Sequence, residues 1–91
     1  MQNNTQLQEL EEVKTKSPNQ NHLVLFNDDV NTFEFVIESL IKVCGHDTLQ
    51  AEQCTYLVHY AGKCSVKTGT RKKLMPFAQA LLDRGLTAEI N

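Results

Sequence analysis

The run Leu23-Val24-Leu25-Phe26-Asn27-Asp28-Asp29 decides the fold of this chain. Four consecutive apolar residues followed by three polar ones are typical of a buried strand that ends in a loop. We predict this strand over residues 22–26. Because it is the most apolar strand of the chain, it is expected to have a neighbouring strand on each side.

A helix is predicted directly after the loop. Asn31 is a good N-cap, Glu34 completes a capping box, and Val30 with Phe35 matches a hydrophobic staple. Gly45 supplies a left-handed end to this helix. The apolar residues that recur at helical spacing between these ends are Phe33, Val36, Ile37, Leu40, Ile41 and Cys44.

A second helix and a second strand follow. Asp47 or Thr48 caps the helix, and Gly62 ends it. Residues 64–68 alternate between apolar and polar side chains, which predicts a half-buried strand. The apolar stripe that we predict for the second helix comprises Cys54, Leu57, Val58 and Ala61.

The last part of the chain predicts a third helix, closed by Gly85, and a final strand. Pro76 leaves two alternatives, a regular helix that begins near Met75 or a kinked first turn over residues 71–75. Leu86, Ala88 and Ile90 share one face of the strand. The apolar stripe of the third helix comprises Leu74, Phe77, Ala78, Leu81 and Leu82.

These elements follow the order β-α-α-β-α-β and predict an α+β fold. Placing the first strand between the other two satisfies the crossover rules and makes every adjacent pair antiparallel, with the helices packed on one face. We assign residues 22–91 to this core domain. Residues 1–21 are rich in Gln, Asn and Glu and predict a mobile tail, either a plain solvated extension or a functional arm.

Length and charge restrict the class of protein. The 91 residues have room for one domain, and a net charge of −2 gives no basic field of the kind that nucleic-acid binding needs. The longest apolar run is far shorter than the ~18 residues of a membrane helix, and residues 1–10 do not resemble a secretory signal. Three cysteines without a C-x-x-C pair favour reduced thiols. We therefore expect a cytoplasmic protein that binds neither nucleic acid nor membrane.

The common enzymatic and metal-binding signatures are absent from the sequence. It contains no Gly-rich phosphate loop, no G-x-S-x-G and no H-E-x-x-H. Phe33 and Glu34 stand where a calcium-binding loop needs a ligand and a glycine. A zinc site at Cys44, His46, Cys54 and His59 is possible in principle but has no recognised spacing. We expect a protein that is not an enzyme and has no cofactor and no metal.

Two stretches together resemble a known family. Leu23–Asp29 is followed by Glu34-Phe35-Val36-Ile37, and Val58-His59-Tyr60-Ala61-Gly62-Lys63 is followed later by Gly85-Leu86. This pattern, which covers roughly residues 22–90, closely resembles the ClpS family of adaptors. That family recognises N-terminal degradation signals and delivers the proteins that bear them to Clp proteases.

The resemblance implies a site for a free α-amino group and a large apolar first residue. An ammonium group offers three donors, which a carboxylate, an amide oxygen and a neutral imidazole can accept, here in Asp28, Asn27 and His59. Asp29 and Asn31 would support the loop. The partners implied are a Clp-type AAA+ unfoldase and proteins or peptides with N-terminal Leu, Phe, Tyr or Trp. The walls of the apolar pocket would be Phe33, Val36, Thr55, Val58 and Leu86.

The chain also departs from the family pattern. Asn31-Thr32-Phe33 replaces the usual Thr-Pro-Met, and Thr55 replaces a pocket methionine. We expect Phe33 to narrow the entrance and to shift preference toward Leu, and Thr55 to remove apolar wall. Two alternatives remain open, a protein-interaction module of the ribosomal-stalk type that uses helix faces, and an enzyme that uses Asp28 and Asp29 on a metal.

Overall fold

A computed structural model describes residues 20–91 of the chain. The predicted tail falls on residues outside this range, apart from its last two positions. The predicted element order is confirmed. The strands and helices are β1 (Asn21–Phe26), α1 (Phe33–Cys44), α2 (Thr48–Ala61), β2 (Lys63–Gly69), α3 (Arg71–Asp83) and β3 (Thr87–Ile90).

The three strands form one sheet in the order β2-β1-β3, and both neighbouring pairs are antiparallel. The prediction that β1 is central is therefore confirmed. Leu25 of β1 lies opposite Cys64 of β2 and Ala88 of β3. The β1–β2 register shifts between Leu23 and Val24, so that Val66 is an extra residue on β2, as in a β-bulge.

The core lies between the helices and one face of the sheet. Leu23 and Leu25 alternate along β1 toward this face and are fully buried, as are the helical residues Leu40, Leu74 and Leu81. Burial of each such side chain contributes about 1.5–3 kcal/mol. The α+β fold with helices against one sheet face is thus the fold that the sequence predicts.

The start of α1 differs from the prediction. Thr32 is the N-cap, and its hydroxyl accepts a hydrogen bond from the Phe35 backbone N–H at 3.1 Å. The prediction of Asn31 as the cap is wrong, because its side chain is engaged in bonds to other parts of the structure. The predicted staple is also wrong, since Val30 is 86% exposed. The predicted end at Gly45 is confirmed by its left-handed backbone, with φ of 73°.

The ends of α2 agree with the sequence, but its buried face does not. Asp47 is the N-cap and accepts a hydrogen bond from the Gln50 backbone N–H at 2.7 Å, and Gly62 follows the helix with φ of 95°. Leu57, which we predicted in the buried stripe, is 51% exposed, and Ala61 is also exposed. The buried residues are Ala51, Thr55 and Val58.

The third helix is continuous through Pro76 and begins at Arg71, after the N-cap Thr70. We predicted either a helix that begins near Met75 or a first turn over residues 71–75. The structure has a helical first turn at residues 71–75, before Pro76. The Arg84 Nε atom donates to the Ser39 hydroxyl at 2.8 Å and thereby links the end of α3 to α1. Among residues 20–91 we find no helix with the length and apolar character needed to cross a membrane.

Candidate functional site

A pocket of about 240 Å³ opens at the carboxyl end of β1. Its walls come from the loop after β1, the first turns of α1, the second half of α2 and the residue before β3. All ten residues that the sequence singled out line this pocket, although they lie far apart along the chain. They are Asn27, Asp28, Asp29, Asn31, Phe33, Val36, Thr55, Val58, His59 and Leu86.

The Asp28 carboxylate organises the loop at the mouth of the pocket. Its Oδ1 atom accepts hydrogen bonds from the backbone N–H groups of Val30 and Asn31, both at 2.9 Å. Its Oδ2 atom accepts one from the Asn31 side-chain amide at 2.9 Å. An aspartate that binds its own backbone two and three residues later forms a tight polar turn. The carboxylate is therefore fixed in position.

These hydrogen bonds also set the charge of Asp28. Partial burial acts to raise the pKa of this carboxyl, but the hydrogen bonds from Asn31 and Val30 favour the charged form and outweigh it. The pKa of Asp28 consequently lies below its ordinary value of 3.8. The pocket mouth carries a fixed negative charge at neutral pH.

Two backbone carbonyls attach this loop to the rest of the fold. The Asn31 side-chain amide donates to the carbonyl of Gly85 at 3.0 Å, which joins the loop to the turn before Leu86. The Asn27 backbone N–H donates to the carbonyl of Gly62 at 2.9 Å, which joins it to the end of α2. Because His59 lies three residues before Gly62, the second bond fixes the loop relative to His59.

His59 is exposed at the mouth and lies among aromatic rings. Its ring is edge-to-face with Phe33, with centroids 6.0 Å apart, and with Tyr60 at 4.9 Å. Such contacts restrict the ring while they leave both nitrogens available for hydrogen bonds. Asn27 is also exposed.

The walls below the mouth are mainly apolar. Val36, Val58 and Leu86 are all buried, and each also belongs to the core. Thr55 is 2% exposed, and its hydroxyl donates to the carbonyl of Ala51 at 2.7 Å. The threonine hydroxyl therefore has a backbone partner, so Thr55 adds less polarity to the wall than its residue type suggested.

Sequence reasoning missed several residues near the pocket. Leu25 and Phe26 of β1 line it as well. Tyr56 contacts Phe33 edge-to-face, with ring centroids 5.4 Å apart, and stacks on Tyr60 at 5.1 Å. The spacing of Tyr56 and Tyr60 by four residues on one helix was the available signal, because residues at i and i+4 share a face.

The other reactive side chains give no second site. In the described part of the chain, no group of three or more His, Cys, Asp or Glu residues is arranged to hold a metal ion, so the zinc site considered at Cys44, His46, Cys54 and His59 is wrong. All three cysteines are free thiols. Burial raises the pKa of Cys44 to about 11 and that of Cys64 to about 12, which keeps both protonated at neutral pH.

The arrangement has a clear chemical character. Acceptor groups of a carboxylate, an amide and an imidazole surround the mouth, and apolar side chains form the walls beneath them. Such a site fits a ligand with a small cationic donor group next to one apolar side chain.

The sequence of this chain is similar to those of Clp protease adaptor proteins. The family model described as "ATP-dependent Clp protease adaptor protein ClpS" matches residues 16–89. An ATP-dependent Clp protease adapter protein ClpS from Vibrio cholerae is 41% identical over 64 residues, which cover 70% of this chain and 60% of that protein. One from Campylobacter jejuni is 33% identical over 79 residues, which cover 79% of this chain and 82% of that protein.

A solved structure has the same fold. The structure of Agrobacterium tumefaciens ClpS2 bound to L-phenylalaninamide has a TM-score of 0.69, with coverage of 82% of this chain and 98% of that chain. Its sequence identity to this chain is 21%, so this likeness concerns the fold. The family consists of adaptors, which agrees with the prediction that the chain is not an enzyme. From its sequence match over residues 16–89 and its fold, the chain belongs to the ClpS family of adaptor proteins of the ATP-dependent Clp protease.

Proposed function

We propose that this chain binds proteins through a free N-terminal α-amino group and a large apolar first residue. In this proposal, Asn27, Asp28 and His59 accept hydrogen bonds from the ammonium group. Asp29 and Asn31 support the loop, and the first side chain enters the pocket. Its walls are Phe33, Val36, Thr55, Val58 and Leu86.

The observation that carries the proposal is the position of the fixed Asp28 carboxylate at the mouth of an apolar pocket. Asp28 has about one acceptor site left after its three loop hydrogen bonds, because a carboxylate has about four such sites. A charge-assisted bond from an ammonium is stronger than a neutral one. L-phenylalaninamide, the ligand of the Agrobacterium tumefaciens relative, combines an α-amino group with an aromatic side chain and so supports the same chemistry here.

The size of the pocket supports a preference among first residues. A volume of about 240 Å³ is below the ~300–1,000 Å³ of sites for drug-sized ligands and matches a single side chain. Phe33 lies at the wall and is held edge-to-face against Tyr56 and His59. We propose that Leu, Phe, Tyr and Trp are all accepted and that Leu is favoured, because it needs the least displacement of Phe33.

We further propose that the chain delivers its bound protein to a Clp-type AAA+ unfoldase. Membership in the family of Clp protease adaptors supports this step. The chain spans about 60% of the length of its Vibrio cholerae relative, so the delivery step is proposed from the family alone. Three free thiols support a reducing compartment, and we propose the cytoplasm.

Equilibrium binding of labelled peptides tests the recognition step. A peptide that begins with free Leu should bind at least 30-fold more tightly than its N-acetylated twin, because acetylation removes the charge that Asp28 attracts. A matched peptide with Ser as first residue should also bind weakly. Equal binding of the free and acetylated Leu peptides would contradict the proposal and would favour a stalk-like interaction module.

A further inference from the structure

The side of α2 that faces away from the core carries four large exposed apolar residues. Leu49 is 64% exposed, Tyr56 57%, Leu57 51% and Tyr60 72%. Their spacing of 7, 1 and 3 residues places them on one face of a helix with 3.6 residues per turn. We call this face the outer α2 stripe. It lies opposite the buried face formed by Ala51, Thr55 and Val58.

The outer α2 stripe is too apolar for an ordinary solvated helix face. Single exposed apolar residues are common on protein surfaces, but a contiguous group of them marks a surface that binds something. Leu49, Tyr56 and Leu57 surround a shallow hollow, together with Glu52 and Gln53. The stripe therefore has both the chemistry and the shape of a docking surface.

Aromatic contacts connect the stripe to the pocket without a break. Phe33 lines the pocket, and its ring is edge-to-face with that of Tyr56 at 5.4 Å. Tyr56 stacks on Tyr60 at 5.1 Å, and Tyr60 contacts His59 at 4.9 Å. The stripe thus begins at the pocket wall that Phe33 forms.

We propose that the outer α2 stripe binds residues 2 to 5 of the substrate chain and selects apolar side chains there. This inference rests on the proposed function, because it takes the first residue to be in the pocket. An extended peptide advances about 3.3 Å per residue, so four residues span roughly 13 Å. From His59 to Leu49 is ten residues of helix, or about 15 Å. The two lengths match.

Charge at the stripe sharpens the expected preference. Glu52 lies in the same hollow as Leu49 and Leu57. An acidic side chain at positions 3 to 5 of the substrate would approach this carboxylate, and like charges at an interface disfavour binding. Apolar side chains would gain burial against Leu and Tyr instead. The substrate class is therefore a chain with an apolar N-terminal segment of several residues.

The test compares three ligands that share the same first residue. L-leucinamide has no second residue, one peptide has apolar residues at positions 2 to 5, and the other has Gly and Ser there. We expect wild type to bind the apolar peptide about 10-fold more tightly than the Gly/Ser peptide. In the double variant Leu49→Ser/Leu57→Ser, which leaves Phe33 and Tyr56 in place, this ratio should fall to about 2-fold or less.

Affinity for L-leucinamide should be the same in wild type and in this double variant. The matched control is Met75→Ser/Leu82→Ser, which removes two exposed apolar residues of α3, at 58% and 46% exposure, and should keep the 10-fold ratio. Circular dichroism establishes that each variant is folded.

Three results would overturn the inference. If wild type binds L-leucinamide but does not distinguish the two peptides, the role proposed for the outer α2 stripe is wrong and the proposed function stands. If neither L-leucinamide nor either peptide binds, both proposals are wrong. If sedimentation shows a wild-type dimer that the stripe variant converts to a monomer with an unchanged peptide ratio, the stripe binds a second copy of the chain.

Discussion

At the scale of single residues, the Asp28 carboxylate is the most constrained group of the site. Three hydrogen bonds from its own loop fix its position and hold its pKa below the ordinary value of 3.8. Since the folded pKa is lowered, its contribution to stability is complete above pH 3.8 and is lost as the pH falls through the folded pKa. In the neutral range the carboxylate is charged and already oriented, so little ordering entropy would be lost in the cation binding that we propose for it.

Asp28→Ala should weaken binding of a free-amine Leu peptide by about 30-fold or more. The reason is that loss of one partner from a desolvated charge contact costs about 2–5 kcal/mol, and each 1.4 kcal/mol is a factor of ten. Fluorescence anisotropy with a labelled peptide measures the effect. Asp83→Ala is the matched control, because Asp83 is an exposed carboxylate outside the pocket, and it should change affinity less than 3-fold. Unchanged affinity in a folded Asp28→Ala protein would exclude the role proposed for this residue.

The low pKa of Asp28 permits a pH test of the charge contact with the ligand. Asp28 stays charged from pH 5 to 9, so a loss of affinity on the alkaline side reports the charge of the peptide amine. We expect a free-amine Leu peptide to bind less tightly above pH ~8, where its α-amino group loses its proton. His59→Gln keeps a hydrogen-bond acceptor and should retain this alkaline fall.

Peptide affinity from pH 5 to 9, with folding verified at each pH, provides the measurement. A level profile on the alkaline side would show that the charge of the amine is not recognised at all.

At the scale of the elements, local patterns predicted where helices and strands lie but not which side chains have distant partners. Asn31 has the residue type of an N-cap, yet its amide donates to Gly85, which is 54 residues away. Thr32 caps α1 in its place. A long-range hydrogen bond leaves no trace in local sequence, so the capping error was unavoidable from the sequence.

The buried face of α2 was misassigned for a different reason. This helix has apolar residues on two opposite sides, one in the core and one exposed, so periodicity alone offers two solutions. We predicted Leu57 and not Thr55 on the buried face because leucine is the more hydrophobic residue. The structure buries Thr55 because its hydroxyl is satisfied by the Ala51 carbonyl.

His46 links two elements and gives a prediction on stability. It lies between α1 and α2, is 6% exposed, and its Nε2 atom contacts the carbonyl of Val66 in the β-bulge at 2.8 Å. Since a carbonyl only accepts, Nε2 carries the proton. His46→Ala should lower the free energy of unfolding by about 2–3 kcal/mol, because it leaves a cavity and an unpaired buried carbonyl.

Urea unfolding measures this loss. Lys42→Ala is the control, because Lys42 is on the surface of α1 and its ion pair with Glu38 is exposed. It should change the free energy of unfolding by less than about 1 kcal/mol. If the two variants have the same unfolding midpoint, the contact between His46 and the bulge does not stabilise the fold.

At the scale of the whole molecule, the topology followed from one apolar strand and the rules for crossover connections. β1 had to be central, and the antiparallel order β2-β1-β3 then left one arrangement for the helices. The same topology brings residues 27–31, 55–59 and 86 around one pocket. The membership of the pocket came from the family resemblance, since no periodicity or spacing relates these segments to one another.

Removal of residues 1–19 should separate binding from delivery. All ten proposed site residues follow position 26, so the shortened protein should bind a Leu peptide within 2-fold of wild type. We expect the tail to be the functional arm of the two alternatives that the sequence left open, so degradation of a Leu-initiated reporter by a Clp unfoldase and its protease should be lost. Full degradation by the shortened protein would mean that the tail is a solvated extension without a role in delivery.

The two backbone carbonyls that hold the loop of residues 27–31 affect how the proposed preference for a first residue can change between related proteins. Gly62 and Gly85 anchor this loop through main-chain atoms, and both have a positive φ. The wall residues Phe33, Thr55 and Leu86 take no part in these two anchors. Mutations in the wall therefore leave both anchors of the loop intact, and in our proposal the preference for a first residue can change by small steps while the loop keeps its position. A library randomised at Phe33 and Thr55 is accordingly a practical route to engineered reagents that sort peptides by their N-terminal residue.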